Sequence, residues 1–241
     1  MRDTSQGGCH PAGGRSGDAN PVPAGVLWDL DGTLVDSESY WIDGEYALIK
    51  RFGGTWTERD ALAMVGNDLV RTGEALRARG VDMNVEEIVR FLLDGVIARM
   101  RERVPWRPGA EALIAECRAR GVPCAMVTAS YRDYAQAVAD ALPTGSFAVI
   151  VPGEEVRVGK PDPEGYLRAA DLLEVARERC VILEDSHTGV QAAINSGMPA
   201  VAIPLMVEVP DAPGLSRVGS LTELTVDLLG QIAYGRVIRT V

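Results

Sequence analysis

Short apolar runs recur along the chain and alternate with segments of helical spacing. The runs are GVLW, PCAMVTAS, FAVIVP, CVILEDS and PAVAIP. Between them, Pro108 to Gly121 carries apolar residues three and four positions apart, and so does the segment after His187. This alternation predicts an α/β fold with a doubly wound parallel sheet covered on both faces. In such a sheet, the active site lies at the carboxyl ends of the strands.

One connection in this pattern is much longer than a crossover requires. A single helix of about a dozen residues is enough to join parallel strands, and Pro108 to Gly121 supplies one. Residues 37–105 are therefore predicted to be an inserted helical cap, and residues 25–36 and 106–241 to be the α/β core. Ser37 is expected to cap the first cap helix. A helical domain inserted directly after the first strand would lie over the active site as a lid.

The first 24 residues have a different composition from the rest of the chain. They are rich in Gly, Pro, Ser and Asn and contain no apolar segment, so they are predicted to be a disordered leader. Cys9 and His10 are adjacent there, but no further metal ligands follow at a suitable spacing. The leader is therefore not expected to bind a metal.

The charge balance limits the kinds of partner. The chain has 24 basic and 34 acidic residues, a formal net charge of −10, which argues against nucleic acid or an anionic membrane as a partner. A phosphorylated small molecule stays possible because a bound cation can reverse the local field.

No apolar run is long enough to span a membrane. Cys117, Cys124 and Cys180 lie in apolar patterns without a CxxC pair, which predicts buried thiols and a cytoplasmic protein. The oligomeric state is left open.

Two aspartates end the first apolar run. Asp29 and Asp31 stand two positions apart and are followed by Gly32. Like charges at the edge of a core repel each other and resist desolvation, so stability alone does not account for them. This arrangement indicates a cation between the two carboxylates.

Polar residues also end three later segments of the predicted sheet. Thr128 and Ser130 end the second run, Lys160 lies in a turn before a helix, and Glu184 and Asp185 end another strand. Taken singly, the two hydroxyl residues could cap the next helix, the lysine could be solvated, and the acidic pair could lie in a surface loop. Taken together, they form a set in which carboxylate oxygens suit Mg²⁺ and the lysine and threonine suit phosphate.

These segments resemble, in order, the four motifs of the haloacid dehalogenase superfamily. The motifs are DLDGT, Thr128 after the second strand, GKPDP with Lys160, and LEDSHTGVQAAINSGM, and the resemblance extends from Gly25 to about Ile203. The insertion after the first motif, together with GKPDPEGY and EDSHTGVQAA, is most similar to the beta-phosphoglucomutase-like phosphatases and mutases with a helical cap.

The resemblance implies a role for each motif residue. Asp29 would be the nucleophile that becomes an aspartyl phosphate, Asp31 the general acid and base, and Thr128 and Lys160 the holders of the phosphoryl group. The dehalogenase branch lacks the second aspartate, so Asp31 argues against halide release. The remaining implied roles are Mg²⁺ binding by Asp29, the Asp31 backbone carbonyl, Glu184 and Asp185, and substrate binding by Gly32, Ala129 and Ser130.

The predicted function is that of a Mg²⁺-dependent phosphatase acting on a small phosphorylated metabolite, such as a sugar phosphate. A sugar-phosphate mutase is the alternative enzyme, and a receiver-like signalling module that accepts phosphate on aspartate is the alternative outside enzymes. Gly66 and Arg71 are the cap residues predicted to meet the substrate. The alternative for Arg71, a solvated residue on a helix surface, is left open. Mutases of the family carry a basic residue just after the specificity-loop glycine, whereas Asn67 and Asp68 stand here, which favours release of inorganic phosphate.

Overall fold

Six strands in the described part of the chain form one parallel sheet. The computed structural model describes residues 21–65 and 69–241. The strand order is β3-β2-β1-β4-β5-β6, and every neighbouring pair is parallel, so the predicted α/β fold is confirmed. The strands are β1 (Gly25–Trp28), β2 (Cys124–Val127), β3 (Val149–Val151), β4 (Cys180–Glu184), β5 (Ala200–Ala202) and β6 (Ser216–Arg217).

Four helices of the described chain lie between β1 and the next core helix, within the span predicted to be the cap. Five more alternate with the strands or follow them. The helices are α1 (Glu38–Arg51), α2 (Glu58–Leu62), α3 (Leu69–Ala78), α4 (Val85–Glu102), α5 (Ala110–Ala119), α6 (Arg132–Ala139), α7 (Glu164–Leu172), α8 (His187–Ser196) and α9 (Val226–Ala233). In the part of the chain described, no helix combines the length and the hydrophobicity needed to cross a bilayer.

Both faces of the sheet are buried under helices. Successive side chains of a strand point to opposite faces, so each strand contributes to the core on both sides. In β1, Val26 and Trp28 belong to one hydrophobic cluster and Leu27 to another. The first cluster lies under α5, α6 and α9, and the second under α7 and α8. Strands buried in this way consist almost entirely of apolar residues, which explains why the runs could be recognised in the sequence.

Helix α4 belongs to two hydrophobic clusters at once. Asn84 and Glu87 form a capping box at its N-terminus. Ile88 and Leu92 pack in a cluster with Leu48, Trp56 and Leu76, all from the span predicted to be the cap. The rest of the helix packs into the cluster beside the central sheet, through Leu93, Val96, Ile97 and Met100. The insertion is therefore anchored to the core through the second half of α4.

Several details differ from the predictions. Ser37 precedes α1, but its hydroxyl makes no capping hydrogen bond and donates instead to Asp31. Strand β6 is two residues long, too short to produce an apolar run, and was not predicted. The predicted leader extends to residue 24, and its first 20 residues lie outside the described chain. Pro21 packs so tightly on α9 that a Cβ added at Gly230 would lie 1.6 Å from its carbonyl oxygen.

Candidate active site

The predicted site residues meet at the carboxyl edge of the sheet. Asp29 follows β1, which lies in the middle of the sheet between β2 and β4. Thr128 follows β2, and Asp185 follows β4. All three side chains are buried, with exposed fractions of 7%, 5% and 6%. Parallel strands end at one edge, so three residues far apart in the chain face a single cavity.

Lys160 forms two ion pairs in this cluster. Its Nζ donates to Asp29 Oδ1 at 2.5 Å and to Glu184 Oε1 at 2.6 Å, and also to the carbonyl oxygen of Val127 at 3.2 Å. Burial by itself lowers the pKa of Lys160, but the two carboxylates outweigh it and hold the pKa well above its usual value. The ammonium group is therefore charged, and the alternative of a solvated lysine is wrong.

Glu184 has hydrogen-bond donors on both carboxylate oxygens and is completely buried. Oε1 accepts from Lys160 and, at 2.8 Å, from the Tyr166 hydroxyl. Oε2 accepts from the backbone N–H groups of Asp185 and Ser186 and from the Ser186 hydroxyl, at 3.0 to 3.1 Å. A carboxylate held in this way fixes the position of Lys160. Tyr166 was not predicted as a site residue, since a tyrosine on an amphipathic helix looks like an ordinary core residue.

Three carboxylates lie close enough to share a metal ion. One oxygen from each of Asp29, Glu184 and Asp185 lies within 4.8 Å of the others. Burial, and then the charge of Glu184, raise the pKa of Asp29 well above its usual value and that of Asp185 to about 7. One lysine does not balance three acids, and an all-oxygen donor set suits a hard cation such as Mg²⁺. The donors present therefore fit the metal that the motifs imply.

Gly32 leaves the space that Asp185 occupies. It has φ +85°, and a Cβ added there would lie 2.0 Å from Asp185 Oδ2, so a larger residue would displace the carboxylate. Thr33 donates to the other oxygen of Asp185 at 3.2 Å. Arg107, also buried, donates to the carbonyl oxygen of Gly32 and to that of Ile203. This arginine holds the Gly32 turn and was not predicted from the sequence.

Asp31 receives three hydroxyl groups. Its Oδ1 accepts from Ser37 at 2.5 Å and from Tyr134 at 2.6 Å, and its Oδ2 accepts from Ser130 at 2.9 Å. The backbone N–H of Ser130 donates to Thr128 Oγ1, which leaves the threonine hydroxyl hydrogen available to another acceptor. Neither hydroxyl caps helix α6, so the alternative of simple helix caps is wrong. Asp31 is thus oriented separately from the cluster around Lys160.

A cavity of about 660 Å³ opens above these groups, between the core and the insertion. Eight of the predicted site residues line it: Asp29, Asp31, Gly32, Thr128, Ala129, Ser130, Lys160 and Asp185. Glu184 lies beneath it. Arg71 is exposed on α3 and is not among the lining residues, although its neighbours Val70 and Thr72 are. Gly66 lies outside the described residues.

The wall formed by the insertion carries acidic groups that were not predicted as site residues. Helix α1 contributes Glu38, Trp41 and Glu45 to the cavity. Glu45 is 4% exposed, and its Oε2 accepts from Trp56 Nε1 at 3.0 Å. Burial raises the pKa of Glu45 to about 7, and that of Glu38 likewise to about 7, with Asp31 and Asp36 adding repulsion at Glu38.

Known proteins match this chain along most of its length. A family model of haloacid dehalogenase-like hydrolases matches residues 23–197. Hexitol phosphatase A of Escherichia coli (strain K12) is 30% identical over 214 residues, which cover 84% of this chain and 93% of the relative.

Two solved structures share the fold. A mutant of CbbY from Rhodobacter sphaeroides, in complex with xylulose-(1,5)bisphosphate, superposes with a TM-score of 0.71 at 26% identity, covering 84% of this chain and 96% of that one. A putative beta-phosphoglucomutase from Thermotoga maritima superposes with a TM-score of 0.66 at 22% identity, covering 90% and 93%.

Proposed function

Because this chain belongs to the haloacid dehalogenase-like hydrolases and is a phosphatase, we propose that it hydrolyses a small phosphorylated metabolite through a covalent phosphate on Asp29. The substrate class is a sugar phosphate or a related polyol phosphate, as the name of the hexitol phosphatase relative suggests. The observation that carries the proposal is the contact of Lys160 with both Asp29 and Glu184 at the cavity floor. It places a fixed positive charge beside a carboxylate that opens to the cavity.

In the first step, an Asp29 carboxylate oxygen attacks phosphorus, and the bond from phosphorus to the ester oxygen breaks. Lys160 and the Thr128 hydroxyl bind the transferring phosphoryl oxygens. Asp31 gives a proton to the leaving oxygen, and to reach it the carboxyl must exchange one of its three hydroxyl partners for the substrate.

In the second step, water attacks the phosphorus of the aspartyl phosphate. Asp31 takes the proton of the attacking water, the acyl phosphate bond breaks, and Asp29 is regenerated as inorganic phosphate leaves. Asp29 and Asp185 would hold Mg²⁺, with Glu184 nearby and the Asp31 backbone carbonyl as the further ligand implied by the motifs. When bound, the ion supplies positive charge that offsets the three carboxylates and the phosphate.

The lining of the cavity favours release of phosphate over its return to the substrate. A mutase must hold a second phosphate of a bisphosphate intermediate. Lys160 is the only lysine or arginine among the described residues that line the cavity, and two carboxylates already neutralise it. The receiver-like alternative is not proposed, because the chain is a phosphatase of an enzyme family.

Removal of metal tests the cofactor and the activity together. With sorbitol 6-phosphate as the probe, inorganic phosphate should form in Mg²⁺ buffer, fall by roughly 10²-fold or more in excess EDTA, and recover when Mg²⁺ is restored. Unchanged release in EDTA would exclude the metal role.

A second assay separates hydrolysis from isomerisation. The enzyme is given beta-glucose 1-phosphate with a trace of glucose 1,6-bisphosphate, and glucose 6-phosphate and inorganic phosphate are followed together. We expect net phosphate release. Stoichiometric glucose 6-phosphate without phosphate would replace the phosphatase with the mutase.

A further inference from the structure

The cap side of the cavity presents one face of helix α1. Glu38, Trp41 and Glu45 stand at positions i, i+3 and i+7, so the two carboxyl groups lie on the same side of the helix with the indole between them. Trp41 is held edge-on by Tyr134, with ring centroids 5.5 Å apart. This face lies opposite the phosphate-binding floor, where the part of a substrate that is not phosphate would sit.

Glu45 is buried, oriented and still able to accept a hydrogen bond. It is 96% buried, since only 4% of its surface is exposed. Trp56 Nε1 holds Oε2 in place, while Oε1 accepts no hydrogen bond from the described residues. Because Glu45 lines the cavity, a hydroxyl of a bound substrate can donate a hydrogen bond to Oε1.

Apart from the hydroxyl residues Ser37 and Thr72, the rest of this wall is apolar or acidic. Met64, Val65, Leu69 and Val70 contribute apolar surface from the insertion, and Leu205, Met206 and Val207 continue it from the loop after β5. No lining residue in the described part of the insertion is basic. A second phosphate or a carboxylate on the substrate would therefore meet repulsion and find no cation to pair with.

We propose that Glu45 determines specificity by accepting a hydrogen bond from a hydroxyl of the leaving group and by repelling leaving groups that carry a second anionic group. The substrate class is accordingly a monophosphate of an uncharged polyol, with its C–H surface against the apolar residues. This proposal rests on the proposed phosphatase function and refines its substrate.

The test uses two probes with the same six-carbon chain. Sorbitol 6-phosphate ends in an alcohol, and 6-phosphogluconate ends in a carboxylate. The kcat/KM of each is measured at pH 8 for the wild type, for Glu45→Gln and for Glu74→Gln, which removes an exposed carboxylate from α3. p-Nitrophenyl phosphate, which has no hydroxyl on its leaving group, is assayed with the wild type.

We expect the wild type to prefer sorbitol 6-phosphate by roughly a hundredfold. Glu45→Gln should lower the ratio of the two kcat/KM values by about tenfold or more, because the amide has the shape of the carboxylate but no charge. Glu74→Gln should have the same ratio as the wild type. If the wild type had equal kcat/KM for the two probes, that result alone would overturn the role of Glu45. If Glu45→Gln had the same ratio of kcat/KM values as the wild type, the role would be overturned as well.

The failures of the two proposals are distinguishable. Hydrolysis of p-nitrophenyl phosphate alone, with neither polyol probe accepted, would overturn the hydroxyl-binding role and leave the phosphatase intact. Absence of phosphate release from all three compounds would overturn the proposed function itself.

Discussion

The two walls of the cavity are built in different ways. On the core wall, Lys160, Asp29 and Glu184 are joined at 2.5 to 2.6 Å, and both oxygens of Glu184 have donors. On the cap wall, Glu45 has one hydrogen bond from the described residues, and the same wall is lined by apolar side chains and by Glu38. The core wall pairs its carboxylates with a lysine, whereas the described part of the cap wall has no basic residue to pair with its carboxylates.

This difference separates the chemistry from the choice of substrate. The phosphate group is common to every substrate of a phosphatase, so the groups that meet it can be fixed in advance by one network. The leaving group varies, so it is best selected by a few side chains that the chemistry does not use. Changes on the core wall should therefore affect all substrates equally, whereas changes on the cap wall should alter their ranking.

The largest effect should come from Asp29→Asn. An amide cannot attack phosphorus as an anion and is a poorer ligand for a cation, so turnover should fall by about 10⁴-fold or more. Phosphate release from sorbitol 6-phosphate and from p-nitrophenyl phosphate should be lost together. Substantial residual turnover of either would remove Asp29 from the nucleophile role.

Lys160→Ala should lower kcat by roughly 10²-fold. A charge contact near 4 Å is worth about 4 kcal/mol at an effective dielectric of 20, before desolvation is subtracted. The change also leaves Glu184 buried with one donor fewer, so the variant must be shown to be folded by circular dichroism. Lys50→Ala removes the only other lysine, which is exposed on α1, and is the matched control. If kcat fell for only one of sorbitol 6-phosphate and p-nitrophenyl phosphate, Lys160 would not act in the same way on every substrate.

Tyr134→Phe should lower kcat by about tenfold with little change in KM. The hydroxyl donates to Asp31 at 2.6 Å, and a hydrogen bond to a charged group is worth about 1.5 to 3 kcal/mol. Ser37 still donates to the same oxygen, which limits the loss. Tyr46→Phe, on the exposed side of α1, serves as the control. An unchanged kcat would show that Tyr134 does not orient Asp31 during turnover.

The smallest effect concerns stability on the cap wall. The pKa of Glu45 is about 7 in the folded chain against an ordinary 4.5. Between these values the folded chain holds a proton that the unfolded chain has released, so the unfolding free energy falls as pH rises. Glu45→Gln removes this penalty and keeps an acceptor for Trp56. Complete burial would make the penalty about 3 kcal/mol, and solvent entering the cavity that Glu45 lines screens it to about 1 kcal/mol. The Tm of Glu45→Gln should therefore rise relative to wild type by about 2 to 4 °C between pH 5 and pH 8.

Glu74→Gln supplies the reference for this measurement, because its carboxylate is exposed on the same insertion. Its Tm should follow the wild type across the pH range. If the difference between Glu45→Gln and wild type were flat or reversed with pH, the carboxylate of Glu45 would not be destabilised by burial.

The core wall could be predicted from the sequence because strand ends mark it. A strand buried on both faces is an apolar run, and the first polar residues after it, such as Asp29, Thr128 and Asp185, stand out. In a parallel sheet these positions meet at one edge. The family motifs then assigned their roles. Lys160 was recognisable since lysine is rare in this chain.

The supporting residues were not predictable in the same way. Tyr134 and Tyr166 lie on amphipathic helices, where an aromatic residue signals core packing rather than a hydrogen bond to Asp31 or Glu184. Glu45 has the pattern of an exposed helix position, and only the fold brings Trp56 to it. Trp28, the last residue of β1, is completely buried and lies edge-on to Phe147. Its indole N–H nevertheless has no acceptor among the described residues.

Helix α4 packs into two hydrophobic clusters, and this determines how the insertion could be exchanged for one from another protein. A chimaera joined at residues 37 and 105 would bring in a foreign α4 and so replace Leu93, Val96, Ile97 and Met100, four side chains of the cluster beside the central sheet. A transplant that retains these four side chains, and replaces only residues that face the insertion's own cluster, keeps the recipient's core packing. An exchange of insertions should therefore divide the residues of α4 between its two faces, and should not simply cut the chain at residues 37 and 105.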